Sequence, residues 1–463
     1  MSVLIALLAL CGLMFVAYRG YSVIICAPIA AMVAVLLTDP SAVAPVFFDV
    51  FMEKLVGFVK LYFPVFVLGA VFGKLIEISG FSRSIVKAVV GLLGRERAIP
   101  VIVAVCGLLT YGGVSLFVVV FAVYPFAAEM FKQSEIPKRL IPATIALGAF
   151  TFTMDALPGS PQILNIIPTT FFGTTSWAAP WLGVTTAVFV VTCGYFYLEY
   201  YRRKALRLGE GYGDSLRNEP ETSDKLVLPN PLIALLPLIM VGVMNLIFTH
   251  YIPQWYGSSY SIEFESYKAA VPTQVSKMTA IWAVQAALMC GIVTLLIFAY
   301  KTVIPKLAEG SRTAVAGAML ATLNTASEYG FGAVIAILPG FMAVAGALEV
   351  IPDPLLKQAV TLNLLAGITG SASGGLSIAL GAMADTFVAA AQAAHIPMEV
   401  LHRVSSMAAG GMDTLPHSGA VITLLAVTGL THREAYKYVF GITIFKTLTS
   451  FFAITVFYTF GII

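Results

Sequence analysis

The sequence predicts an all-α polytopic membrane protein made of two inverted repeats, each holding a re-entrant hairpin and a broken transmembrane helix. Three observations predict it. First, 59% of the 463 residues are hydrophobic and only 11% are charged, where a soluble domain carries about 25% charge. Second, apolar stretches long enough to cross a bilayer recur along the whole chain. Third, four of these stretches are interrupted by clusters of Gly, Pro, Ser and Asp, and the interruptions recur in the same order in both halves.

Membrane segments are expected near 2–18, 21–38, 56–79, 98–131, 140–172, 178–199, 229–249, 276–300, 313–346, 358–393, 403–430 and 437–461. The first is apolar without a basic leader or a small-residue cleavage site, so it reads as a membrane helix rather than a signal peptide. Several of the others exceed the roughly 20 residues that cross 30 Å of hydrocarbon. They break at Thr110–Ser115, at Asp155–Pro161, at Gly370–Ser377 and at Gly410–Pro416. Non-helical backbone at membrane depth survives only inside protein or beside a wet cavity. Four breaks therefore point to an interior site.

The breaks pair up. Met412-Asp413-Thr414-Leu415-Pro416 follows Met154-Asp155-Ala156-Leu157-Pro158 by 258 residues, and Gly374-Gly375-Leu376-Ser377 follows Gly112-Gly113-Val114-Ser115 by 262. Gly332-Ala333-Val334 follows Gly69-Ala70-Val71 by 263. Three ordered matches at nearly one offset indicate an internal repeat, with a first repeat over 1–200, a linker over 201–228 and a second repeat over 229–463. Interrupted apolar segments at corresponding places in two halves point to a binding site at the repeat interface.

Charge placement predicts orientation. Of the 27 Lys and Arg, nineteen fall in loops assigned to one side, among them Arg83, Lys138, Arg202, Arg207, Arg312 and Arg433. Five fall on the other side: Lys54, Lys268, Lys277, Lys357 and Arg403. Lys60, Lys74 and Lys446 lie within spans. The positive-inside rule makes the first side cytoplasmic. The segment 98–131 then dips in from the cytoplasm, 358–393 dips in from outside, both termini face outward, and the linker is cytoplasmic. The small net charge of +3 gives no sign of nucleic-acid binding.

Asp155, Glu328, Asp385 and Asp413 lie inside apolar stretches. A charge at mid-membrane costs about 2.5–3.5 kcal/mol on insertion scales, so each needs a partner, a proton or water. Asp155 and Asp413 occupy equivalent breaks. Two compatible readings stand for them, a cap on the free N–H groups of the broken helix and a direct part in ion coupling. Glu328 has no acidic counterpart in the first half, since Val65 stands there, and so reads as the better coupling residue. Asp385 reads as a packed, paired residue, with Arg403 as candidate partner.

The breaks carry no basic residue except His417. Helix N-termini and tip N–H groups bind anions without Lys or Arg. The expected binding set is therefore Gly112, Gly113, Ser115, Asp155, Ser160, Asn324, Ser373, Gly374, Gly375, Ser377, His417 and Ser418, with ion coupling at Glu328, Asp155 and Asp413. His417 can contact substrate, carry a proton or bond a neighbour. Gln162, Asn165 and Asn324 are further candidates for a substrate hydroxyl. Lys74 and Glu77, three apart, read as a local pair.

No phosphate-binding GxxxxGK motif and no His/Cys cluster with metal spacing occurs, so no cofactor, no metal and no enzyme chemistry is expected. Cys11, Cys26, Cys106, Cys193 and Cys290 sit singly in apolar runs and read as packing residues.

The run Phe63–Glu77, the Gly-Gly-Val-Ser tip and the run Asn324–Gly332 resemble the gluconate permease (GntP-type) family of the ion-transporter superfamily, and within it most the 3-hydroxybutyrate permeases. The resemblance spans the whole chain. It implies a bacterial inner-membrane, elevator-type secondary symporter, assembled as a homodimer, that takes up a short hydroxy-monocarboxylate such as 3-hydroxybutyrate with protons. The expected partners are thus a small organic anion, a proton or Na⁺, and the lipid bilayer. A gluconate-like sugar acid or a dicarboxylate carried with Na⁺ is the alternative. An anion channel is the reading from another class, disfavoured by paired hairpins without a charge-lined pore.

Overall fold

The computed structural model describes residues 2–19, 21–93, 97–213, 217–219, 228–261, 263–264, 267–268, 273–340, 350–416 and 418–463. Among these the chain is a helical bundle with seven helical runs long and apolar enough to cross a membrane. The first half contains α1 (Ser2–Tyr18), α2 (Val23–Thr38), α3 (Glu53–Ile78), α4 (Phe81–Leu93), α5 (Ala98–Tyr111), α6 (Leu116–Gln133), α7 (Ile141–Ala149), α8 (Ile163–Phe172) and α9 (Pro180–Arg207). The second contains α10 (Pro231–Tyr256), α11 (Val275–Val303), α12 (Leu307–Ile337), α13 (Pro354–Thr369), α14 (Ala372–Ala393), α15 (Met398–Gly411), α16 (Gly419–Thr428) and α17 (Lys437–Phe460). Among the described residues, strands join the all-α plan between α10 and α11. There Ser259–Tyr260 pairs antiparallel with Thr273–Gln274, and Glu263–Phe264 with Tyr267–Lys268.

Packing sorts the helices into two layers. α3 packs along α12 and α11, α12 along α2, and α10 along α11. The other layer holds the interrupted segments: α5 with α7, α13 with α14, and α15 with α17, α13 and α8. The layers meet mainly where α12 lies on α14. Large apolar side chains such as Ile25, Phe121, Trp181, Leu246 and Phe298 remain exposed on the outside, as expected where the solvent is hydrocarbon.

All four interruptions are breaks in helical structure. α5 and α6 form a hairpin with its tip at 112–115, and α13 and α14 another with its tip at 370–371. The segment 156–162 separates the single turn Phe152–Asp155 from α8, and 412–418 separates α15 from α16. The second tip is shorter than expected. Ser371 caps α14 by accepting the Gly374 N–H at 3.1 Å, so Ser373, Gly374, Gly375 and Ser377 lie on the first helical turns rather than in a loop.

Helix α9 continues through Arg207, into the expected linker. The described part of the remaining linker is docked on the bundle. Lys138 Nζ donates to the Arg217 carbonyl at 2.6 Å and pairs with Glu219 at 2.8 Å. Asn218 accepts from Tyr124 and donates to the Ala426 carbonyl at 2.8 Å. Arg95 and Lys225, counted among the cytoplasmic charges, lie outside the described residues.

Candidate functional site

The first break is held by a network of buried polar side chains. Asn165 on α8 donates to the Ser160 and Ser176 carbonyls, both at 2.8 Å. Its Oδ1 faces Arg403 Nη1 at 3.0 Å and His402 Nε2 at 3.2 Å, both from α15. Arg403 also donates to the Asp155 carbonyl at 3.0 Å and to the Ala178 carbonyl at 2.7 Å through Nη2. From the opposite layer, Asn245 on α10 donates to the Gly159 carbonyl at 2.9 Å. Every free carbonyl reached this way escapes the penalty of an unsatisfied polar group in hydrocarbon. Asp155 itself is 5% exposed. Its carboxylate lies against Gly410 of the second break, where an added Cβ would collide with Oδ2.

The first tip rests on the first break. Gln162 Nε2 donates to the Thr110 carbonyl at 2.7 Å and to the Val114 carbonyl at 3.3 Å. Gly113 has a φ of 96°, a left-handed conformation that suits glycine. It packs between Pro161 and Leu288, 3.3 and 3.4 Å from where a Cβ would stand.

The second tip meets the other layer through Glu328. This residue sits in the middle of α12, 5% exposed, with its carboxylate against Gly374, where a Cβ would collide with both carboxylate oxygens. One turn away Thr325 Oγ1 is 3.4 Å from Ser373 Oγ. The hydroxyls of Ser327 and Ser377 are buried without a hydrogen-bond partner. One carboxylate and a close-approach glycine thus meet where the two layers touch, with unpartnered hydroxyls at Ser327 and Ser377 on the same two helices.

At the second break Asp413 pairs with Lys446 of α17. Thr414 Oγ1 is 2.8 Å from Thr443 Oγ1.

No family model matches the chain. It is, however, 54% identical over 472 aligned residues, covering 100% of both chains, to a Bacillus subtilis (strain 168) protein described as the uncharacterized transporter YxjC. The chain belongs to that transporter family. In fold it is also similar to the YdaH transporter of Alcanivorax borkumensis, whose crystal structure is described as revealing an unusual topology. The TM-score is 0.52 at 14% identity, covering 89% of this chain and 88% of that one; at such identity the likeness concerns fold alone.

In this multi-pass membrane transporter several expected site residues are engaged structurally. Ser160 Oγ donates to the Thr153 carbonyl at 2.6 Å. Asn165 is saturated and so is not left to read a substrate hydroxyl, while Gln162 commits its amide nitrogen to the first tip. Gly112 packs against Leu238 of α10, Ser115 begins α6, Gly375 packs on Ala366, and Asn324 is half-buried. Ser418 is buried at the start of α16. His417 lies outside the described residues.

Three expectations need correction. Neither aspartate caps a broken helix: α8 and α16 begin at Gln162 and Ser418 without a side-chain cap, Asp155 faces Gly410, and Asp413 holds Lys446. Arg403 is not a surface charge but 0% exposed, because α15 starts earlier, at Met398, and carries it inside. Asp385 is not its partner; it is exposed on α14. The pairing of Lys74 with Glu77 occurs as expected, at 2.8 Å. Arg403 and Lys446 were the functional candidates that sequence reading passed over. The signal available for Lys446 was its position inside an apolar span.

Proposed function

We propose that the chain is a secondary active symporter that takes up a short hydroxy-monocarboxylate, such as 3-hydroxybutyrate, together with protons. The reading places it among gluconate permease-type carriers of the bacterial inner membrane. The observation that carries it is Glu328, a buried acid in the middle of a long helix with its carboxylate closed against the tip of the second hairpin. Neutral, it lets the apolar hairpin tip pass without the penalty of a bare charge in a low-dielectric contact; ionised, it does not. A carrier that must move its tip past α12 therefore gains from a proton at this position. Asp155 and Asp413 are the other candidate coupling acids.

Two inverted repeats, with 1–200 and 229–463 facing oppositely across the membrane, account for the matched breaks. In this reading the hairpin layer slides as an elevator against the α2–α3–α10–α11–α12 layer, a homodimer anchors the static layer, and both termini face outward. Sodium coupling with a sugar acid or dicarboxylate is the second reading. The unpartnered hydroxyls of Ser327 and Ser377, on the two helices that meet at Glu328, favour it, because a sodium ion wants several oxygens.

Proteoliposome uptake with separately imposed proton and sodium gradients tests both. The expected result is 3-hydroxybutyrate accumulation that follows the pH gradient and ignores sodium. Counterflow should proceed without either gradient, which a channel cannot sustain. Glu328→Gln should retain counterflow and accumulate substrate less steeply on a pH gradient than wild type. Accumulation driven by sodium alone overturns proton coupling, and undiminished pH-driven accumulation in Glu328→Gln removes that residue from it.

A further inference from the structure

We propose that Lys446, Asp413 and Asn363 form the subsite that recognises the hydroxy acid, with Lys446 taking the carboxylate and Asn363 the hydroxyl. This deepens the carboxylate-transport reading and rests on it.

Lys446 projects from α17, 2% exposed, and its ammonium holds Asp413 in the second break. Taking an ion pair of this kind out of water is close to neutral or unfavourable compared with apolar packing. A buried pair inside a membrane protein therefore asks for a reason beyond stability. Asn363 supplies one. It lies on α13, the first arm of the second hairpin, and is 3% exposed. Its Nδ2 donates to the Ala359 carbonyl at 2.9 Å and to Ser450 Oγ at 3.3 Å. Its Oδ1 is buried without a hydrogen-bond partner. An orphaned amide oxygen of this sort carries an uncompensated desolvation penalty.

Gly411 ties these groups into one place. A Cβ there would collide with Asn363 Oδ1 and stand 3.2 Å from the Thr447 Cα, the residue after Lys446. Asp413 is two residues further along the same break. An ammonium and an unpartnered acceptor thus sit at one interruption of the helix. A carboxylate bearing a nearby hydroxyl satisfies both, its oxygens on Lys446 Nζ and its O–H donated to Asn363 Oδ1. An unsubstituted acid satisfies only the first.

The arriving anion competes with Asp413 for Lys446. Two carboxylates cannot share one ammonium in a low-dielectric site without strong repulsion, so Asp413 takes a proton from solution as it is displaced. The other charged group bearing on Asp413 is Asp155 at the first break. One proton is then bound with each anion at this site, apart from the one that Glu328 carries at the hairpin tip.

Binding to purified protein in nanodiscs, measured calorimetrically at several pH values with acetate, butyrate, 3-hydroxybutyrate, gluconate and succinate, tests the assignment. Wild type should bind 3-hydroxybutyrate about tenfold more tightly than butyrate. Its affinity should fall by up to about tenfold per pH unit as the pH rises. Asp413→Asn should bind with the pH dependence removed. Asn363→Leu should bind both acids alike. The double variant Asp413→Asn/Lys446→Met removes both charges and so leaves no unpaired ion to unfold the protein. It should melt near wild type yet bind on the order of a hundredfold more weakly. Wild-type affinity in that double variant overturns the subsite, even if transport of a carboxylate stands. Absence of binding by every acid in the panel overturns the carboxylate reading and the subsite with it.

Discussion

Glycine carries much of the meaning at the scale of single residues. Gly374 and Gly410 invite the reading of loop signals, yet both lie within helices and serve close approach. Gly374 makes room for the Glu328 carboxylate and Gly410 for that of Asp155. Alanine raises helix propensity at such positions by up to about 1 kcal/mol, so any loss in Gly374→Ala comes from the added methyl. We expect Gly374→Ala to reduce 3-hydroxybutyrate uptake in proteoliposomes at least about tenfold, with overpacking of about 1–3 kcal/mol forcing the acid or the tip aside. Normal uptake kinetics in that variant would show that Glu328 and the tip need not touch. The acids themselves were legible in the sequence, because a carboxylate in an apolar run stands out on desolvation grounds alone. Their partners were not. Arg403 reaches the Asp155 carbonyl across 248 residues of chain, a separation at which no local pattern reports contact.

Among elements, the interruptions were legible and their internal chemistry was not. Gly, Pro and Ser clusters in apolar stretches located every break to within a few residues. Which groups satisfy the freed backbone depends on tertiary neighbours. Gln162 illustrates this: it read as a candidate for a substrate hydroxyl, and its amide nitrogen bridges the Thr110 and Val114 carbonyls at the first tip. Removing its amide should leave these acceptors unsatisfied in an apolar setting. Gln162→Leu is accordingly expected to lower stability by about 1–3 kcal/mol, read as an earlier unfolding midpoint in detergent by intrinsic fluorescence. An unchanged midpoint would mean that water replaces the side chain, which would itself place a wet cavity at this tip. Helix α4 was missed for a different reason. It is short and amphipathic and carries Arg83 and Lys87, so no hydropathy criterion for spanning segments could include it. Arg403 was misplaced because α15 begins at Met398, in a stretch that reads as a polar loop.

For the whole molecule, the decisive question is whether the two layers move relative to one another. The matched breaks point to a repeat, but a repeat says nothing about which helices stay fixed. Packing offers a concrete division, with α2, α3, α10, α11 and α12 on one side and the hairpins and broken helices on the other. The polar contacts crossing that division are few and specific. Asn245 holds the Gly159 carbonyl, Tyr62 reaches Thr170 Oγ1 at 2.6 Å, and Thr325 meets Ser373. Sliding of the hairpin layer must break all of them, since each joins a fixed point on one layer to a fixed point on the other. Thr325 and Ser373 provide the test, because their side-chain oxygens lie 3.4 Å apart and paired thiols there fall within reach of a disulfide or a mercury bridge. The five native cysteines are first replaced so that only the introduced pair reacts. Oxidising Thr325→Cys/Ser373→Cys in proteoliposomes should abolish net uptake and counterflow together, and reduction should restore both. Each single-cysteine variant should transport equally with and without the oxidant, which separates cross-linking from thiol damage at the tip. Full transport by the cross-linked protein would show that α12 and the second hairpin travel as one body. The moving boundary would then have to lie elsewhere in the bundle.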